Sequence, residues 1–122
     1  MEFKRAGPLR LIHAFRNSME GMAEALRTER AFRLELLLAL VLVPVAFYLT
    51  PNAVERALLA GSVILVLVVE LLNSSIETVV DRISLERHAL SKRAKDIGSA
   101  AVLLSLVLAG TVWAIVLAPR FA

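Results

Sequence analysis

Apolar and polar positions along the chain fall into four blocks. Over residues 9–27, Leu11, Ile12, Phe15, Met19, Met22 and Leu26 recur at spacings near one helical turn, and Arg10, His13, Arg16, Asn17, Glu20, Glu24 and Arg27 take the other side. That pattern predicts an amphipathic helix, and the apolar run that follows predicts that it lies on a membrane surface. Three stretches are then nearly free of charge: 34–50, with Glu35 near its start and Pro44 inside; 57–72, interrupted only by Glu70; and 97–118, with no charge over 22 residues. A bilayer crossing needs about 20 apolar residues, with a range of about 17–25, so the pattern predicts three transmembrane helices. The short turn at Thr50-Pro51-Asn52 predicts a tight antiparallel hairpin of the first two spans. Ser91 is expected to cap the third helix, Gly98 to permit close helix packing, and Trp113 and Phe121 to anchor at the membrane interface.

Composition narrows the class. Of 122 residues 58% are apolar, and the mean hydropathy is +0.73, against roughly 45–50% apolar residues in a soluble domain. A chain this short cannot wrap three such helices in a polar shell. The absence of cysteine excludes disulfide scaffolds, thiolate metal sites and cysteine nucleophiles. The whole chain, residues 1–122, therefore reads as one integral membrane domain, an all-α membrane protein with a surface helix and three spans. Twelve Lys and Arg residues, Lys4, Arg5, Arg10, Arg16, Arg27, Arg30 and Arg33 before the first span and Arg82, Arg87, Lys92, Arg93 and Lys95 between the second and third, face two, Arg56 and Arg120, at the other end. The positive-inside rule then places the amino terminus and the 82–95 loop in the cytoplasm.

Candidate chemistry lies where polarity interrupts the second span. Glu70, Asn73, Ser74, Glu77 and Asp81 fall within about 100° of one another on a helix. The helix rises roughly 16 Å over that stripe, so the stripe starts inside the bilayer and leaves it on the cytoplasmic side. An Asp at the bilayer centre costs at least about 2.5 kcal/mol, a cost that points to function. Glu29 and Glu35 bracket the start of the first span, and Lys95, Asp96 and Ser99 open the third. Carboxylates from separate helices, completed by waters and phosphate oxygens, suit Mg²⁺. The plainer alternative for Glu77 and Asp81 is a solvated helix end paired with Arg82 and Lys95. No soluble-kinase or NTPase signature is present.

The strings ERAFRLE (29–35), VELLNSSIETVVDR (69–82) and AKDIGSAAV (94–102) resemble the signature blocks of the prokaryotic diacylglycerol kinase family. The resemblance implies a homotrimer in the bacterial inner membrane that phosphorylates the hydroxyl of diacylglycerol with MgATP. It implies Glu70 as catalytic base, Glu29 and Glu77 as metal ligands, and Asn73 and Asp81 as supporting residues. It further implies nucleotide contacts from Arg10, Asn17, Glu29, Glu77, Glu86, Arg87, His88, Lys95 and Asp96. Lipid contacts are implied for Arg10, Ala31, Phe32, Arg33, Leu34, Glu35, Arg56, Glu70, Ser99 and Trp113. The chain departs from the family pattern at Asn17, Leu34 and Lys92, where members carry an aromatic residue, Gln and Gly.

Two other readings stand beside this one. A branch of the same family phosphorylates undecaprenol and tends to have His where this chain has Glu35; an acidic residue there resembles the diacylglycerol branch and can hydrogen-bond a glycerol backbone. A small non-enzymatic transporter subunit would also use an intramembrane glutamate. The stripe continuing outward through Glu77 and Asp81 fits a carrier site near the midplane less well.

Overall fold

The computed structural model describes residues 7–83 and 86–121, which form four helices: α1 (Gly7–Thr28), α2 (Arg30–Leu49), α3 (Ala53–Ile83) and α4 (Ala89–Phe121). Lys4 and Arg5 lie outside the described residues. Three of the helices, α2, α3 and α4, are long and apolar enough to cross a membrane. The 31 residues of α3 and 33 of α4 span about 46 and 50 Å, well beyond a hydrocarbon core of about 30 Å. Both therefore outrun the charge-free windows 57–72 and 97–118. The polar run after Leu72 has no Gly or Pro to break the helix, so the acidic stripe stays helical as it leaves the apolar zone.

The helices pack along seams that repeat every seven residues. Buried Leu59, Val63, Val66, Glu70 and Asn73 alternate at four and three residues on α3, buried Phe32, Ala39 and Ala46 recur every seven on α2, and Gly98 and Ser105 are seven apart on α4. This is the period of helices crossing at a shallow left-handed angle, and the small residues Ala39, Ala46, Gly98 and Ser105 suit the close approach typical of membrane helices. Helix α3 is the centre, flanked by α2 and α4, and α1 packs on α2. Closest approach falls at Gly98, where a Cβ would run into the Asn73 carboxamide, with Cγ only 3.3 Å away, as the expected close-packing role requires. Large apolar residues such as Leu37, Leu40, Leu103, Leu104 and Ile115 are exposed instead, an arrangement that suits lipid rather than water.

Each junction is closed by polar side chains. Between α1 and α2, Glu29 is extended at φ −110°, ψ 106°, and Arg33 donates to the carbonyls of Leu26 and Arg27 at 2.9 and 3.1 Å, satisfying the end of α1. At the 50–52 turn, Asn52 Oδ1 accepts the Glu55 N–H at 3.0 Å, an N-cap for α3. Buried Thr50 accepts the Asn52 N–H at 3.1 Å and donates to Glu55 Oε1 at 2.6 Å. Arg56 donates to Thr50 O and Phe47 O at 2.7 and 2.9 Å, and Arg120 reaches Glu55 at 2.7 Å, so α4 is tied to the hairpin turn.

Two expectations are corrected. Ser91 does not cap α4: the helix already begins at Ala89, and His88 Nδ1 accepts the Leu90 N–H at 3.0 Å. Imidazole, an acceptor in its neutral form, takes the place of the expected hydroxyl. Trp113 is half-buried against α3, where its indole N–H donates to Leu59 O at 3.1 Å, so it pins two helices rather than standing only as an interfacial anchor. Trp113→Phe keeps an aromatic ring but removes this bond, together with the packing of the pyrrole ring. The expected loss from the bond is about 0.6 kcal/mol, and at most about 1.7 kcal/mol, the range for interhelical hydrogen bonds in membranes. Reversible unfolding in mixed micelles measures it, and an unchanged stability would show that the bond contributes nothing.

Candidate functional site

Exposure along the acidic stripe rises stepwise toward the α3–α4 turn. Glu70 and Asn73 are buried, Ser74 and Glu77 half-buried, and Asp81 exposed. Across the α2–α3 seam the Glu35 and Glu70 carboxyls lie close enough to interact directly. Glu77 and Glu29 lie within electrostatic range of Glu70, so four carboxyl groups from three segments share one neighbourhood. Two buried oxygens there, Glu35 Oε2 and Asn73 Oδ1, have no hydrogen-bond partner. Such orphans call for explanation.

Two cavities flank the stripe. One, of about 540 Å³, sits at the α3–α4 turn and is bordered by Asp81, Arg87, His88, Lys92, Lys95 and Asp96. The Lys95 ammonium donates to Asp81 at 2.8 Å and the Lys92 ammonium to Asp96 at 2.6 Å. Both ion pairs are substantially exposed, so they add little stability. Glu86 also borders this cavity. The other, of about 500 Å³, lies between α1 and α3, bordered by Ser18, Met22, Glu29, Leu71, Ser74 and Thr78. Glu24 borders it too but is paired with Arg27, whose hydrogen bond and charge hold its carboxyl below the usual range. No capping hydrogen bond engages the Glu29 side chain.

The two readings of Glu77 and Asp81 therefore separate. Asp81 forms the expected ion pair with Lys95, whereas Glu77 makes no salt bridge among the described residues and lies within electrostatic range of both Glu70 and Lys95. The structure brings together Glu29, Glu35, Glu70, Asn73 and Glu77, and next to them Glu86, Arg87, His88, Lys95 and Asp96. Arg10, Asn17, Ala31, Leu34 and Ser99 are exposed, while Phe32 is only 1% exposed and offers the surface almost nothing. Arg33 is engaged in capping α1. Arg56 and Trp113 are not brought to this cluster: the 14 residues from Glu70 and 15 from Gly98 put each about 21–22 Å away along its helix. The direct contact of Glu35 with Glu70 is not visible in spacing alone, because the two are 35 residues apart on different helices; its only signal is that each is the sole acid in its apolar run.

An all-oxygen donor set suits a hard cation such as Mg²⁺. Among the described residues no three His, Cys, Asp or Glu side chains converge as a preformed metal cage. A metal here would take one or two protein carboxylates and draw its other ligands from water and phosphate, the usual arrangement for Mg²⁺ beside a nucleotide.

The relationship to known proteins spans the segments that build this cluster. The diacylglycerol kinase of Pseudomonas aeruginosa is 50% identical over 113 residues, covering 93% of this chain and 92% of that protein. The diacylglycerol kinase of Haemophilus influenzae is 48% identical over 111 residues, covering 91% and 94%, and that of Escherichia coli strain K12 is 48% identical over 115 residues, covering 94% of each. The sequence profile of the prokaryotic diacylglycerol kinases matches residues 16–117. That span takes in α2, α3, nearly all of α4 and every acid of the cluster, and on it the chain belongs to the prokaryotic diacylglycerol kinase family.

Proposed function

We propose that the chain transfers the γ-phosphoryl group of ATP to the hydroxyl of diacylglycerol, yielding phosphatidic acid at the cytoplasmic face of the bacterial inner membrane. The observation that carries this reading is the close pair of buried Glu70 and half-buried Glu35 where α3 leaves the apolar zone, with a cavity bordered by Lys92, Lys95, Arg87 and His88 further along the same helix, at Asp81. A lipid hydroxyl sits at that depth, and a nucleotide's phosphates would meet cations just outside it.

Ionised Glu70 takes the hydroxyl proton as the lipid oxygen bonds to the γ-phosphorus, and the bond to the β-phosphate oxygen breaks to release ADP. Glu35 holds Glu70 in place and offers an acceptor to the glycerol backbone. Glu29 and Glu77 would hold a divalent metal, which would neutralise charge on the phosphate oxygens when bound. Lys95, with Asp81 and Asp96 around it, orients the nucleotide together with Arg10, Asn17 and the 86–88 segment. The lipid enters laterally past Ala31, Leu34 and Ser99, its tails remaining in the bilayer. Helix α1 lies on the membrane surface through Leu11, Phe15 and Met19, which are exposed on one side. The apolar faces left open on α2 and α4 leave room for the lipid and for two further copies in a homotrimer.

Purified protein in mixed micelles should consume ATP only when diacylglycerol is present. Glu70→Gln keeps the shape and removes the base, so turnover should fall by about 10²-fold or more with nucleotide binding retained; near-normal turnover would refute the assignment. In direct competition at equal mole fraction, diacylglycerol should be phosphorylated ahead of undecaprenol, and predominant undecaprenyl phosphate would move the chain to the other branch. For orientation, Leu90→Cys should resist membrane-impermeant thiol reagents in sealed right-side-out vesicles and react once the inner face is opened. Labelling in intact vesicles would invert the topology.

A further inference from the structure

The contact between α3 and α4 meets the acidic face at one point. Asn73 lies three residues after Glu70 and four before Glu77, on the same side of α3, and is only 9% exposed. Its Oδ1 is buried without a donor and is pressed against the bare Cα of Gly98; a Cβ there would overlap that oxygen, lie 3.3 Å from Cγ and touch Ile76 Cδ1 at 4.0 Å. The other glycines have nothing within 4 Å of an added Cβ. A side chain at position 98 would therefore displace the Asn73 carboxamide, and no backbone strain is involved, since no glycine has positive φ.

An unsatisfied buried oxygen costs about 1–3 kcal/mol. Here the carboxamide accepts that cost while its other prong, the amide nitrogen, is turned away from Gly98. Resting on the proposed phosphoryl transfer, we propose that Gly98 is a positioning residue: by lacking a side chain it sets the orientation of the Asn73 carboxamide between Glu70 and Glu77. A methyl at 98 forces one of two responses. Either Asn73 rotates within the packed seam, which disturbs the carboxylates on either side of it, or α4 moves away and carries Lys95 from Asp81.

The test is a double-mutant cycle on the full chain in micelles: wild type, Gly98→Ala, Asn73→Ala and the double variant. Turnover and KM are read for ATP and diacylglycerol, and thermal unfolding is read without ligands. Gly98→Ala should lower kcat about tenfold or more with KM for ATP changed less than about twofold. In the Asn73→Ala background, itself slower, the same substitution should cost less than about twofold, a coupling within the range for contacting residues. With asparagine labelled by ¹⁵N, the three side-chain amides, Asn17, Asn52 and Asn73, should show one displaced pair on Gly98→Ala, that of Asn73.

Equal fold losses in both backgrounds, or full activity of Gly98→Ala, would overturn the proposal. Should Gly98→Ala not fold, the double variant must fold if Asn73 is the obstacle, and its failure would likewise overturn it. A wild-type protein inactive on diacylglycerol would refute the proposed function instead, and the amide spectra and unfolding arms would still decide whether position 98 sets Asn73.

Discussion

A carboxyl pair held inside an apolar seam is the constraint around which this structure is arranged. An isolated charge at membrane depth costs at least about 2.5 kcal/mol, so Glu70 is tolerated only with a partner and a nearby exit to polar surroundings. Glu35 supplies the partner from α2. The exit is the continuation of α3 to Ile83, which carries the same face past Glu77 and Asp81 into the region of the ion pairs. The overshoot of α3 and α4 beyond the hydrocarbon thickness follows from this requirement, and it also makes the walls of the larger cavity.

With only lipid to exclude, the helices cannot rely on apolar burial for association, and close packing with hydrogen bonds does that work. The two ends solve the problem differently. At the end bearing Arg56 and Arg120, Thr50, Asn52, Glu55 and both arginines form a connected set that caps α2 and α3 and fastens α4, with Trp113 adding a cross-link to Leu59 O. At the end bearing the carboxylates α3 and α4 meet sterically at Gly98 and through the exposed Lys95–Asp81 ion pair. Interhelical hydrogen bonds are dense at the end bearing Arg56 and Arg120, and the cluster keeps two buried acceptors without donors.

A lipid substrate explains why such a site is built without a soluble kinase framework. The reacting hydroxyl is delivered at a fixed depth by the membrane itself, so the protein has only to place a base at that depth and cations beside it. Phosphoryl transfer asks mainly for positioning and charge neutralisation, which helices can provide when their polar ends are aligned.

Four helices, three long apolar ones among them, were legible in the sequence because hydrophobic periodicity and length dictate them. So was the acidic stripe, because residues on one helix keep a fixed angular relation whatever the rest of the chain does. The family-like strings at 29–35, 69–82 and 94–102 fall on the same segments. What spacing could not disclose were relations between helices: that Glu35 meets Glu70, that Asp81 pairs with Lys95 while Glu77 sits between Lys95 and Glu70 electrostatically, and that His88 rather than Ser91 caps α4. Nor does it reveal that Arg33 and Arg56 are spent on helix ends, or that the glycine at 98 answers to Asn73. Local periodicity determines what each helix is and which face is polar; which polar faces meet depends on rotation and offset of whole helices, and those are set only when the seams close.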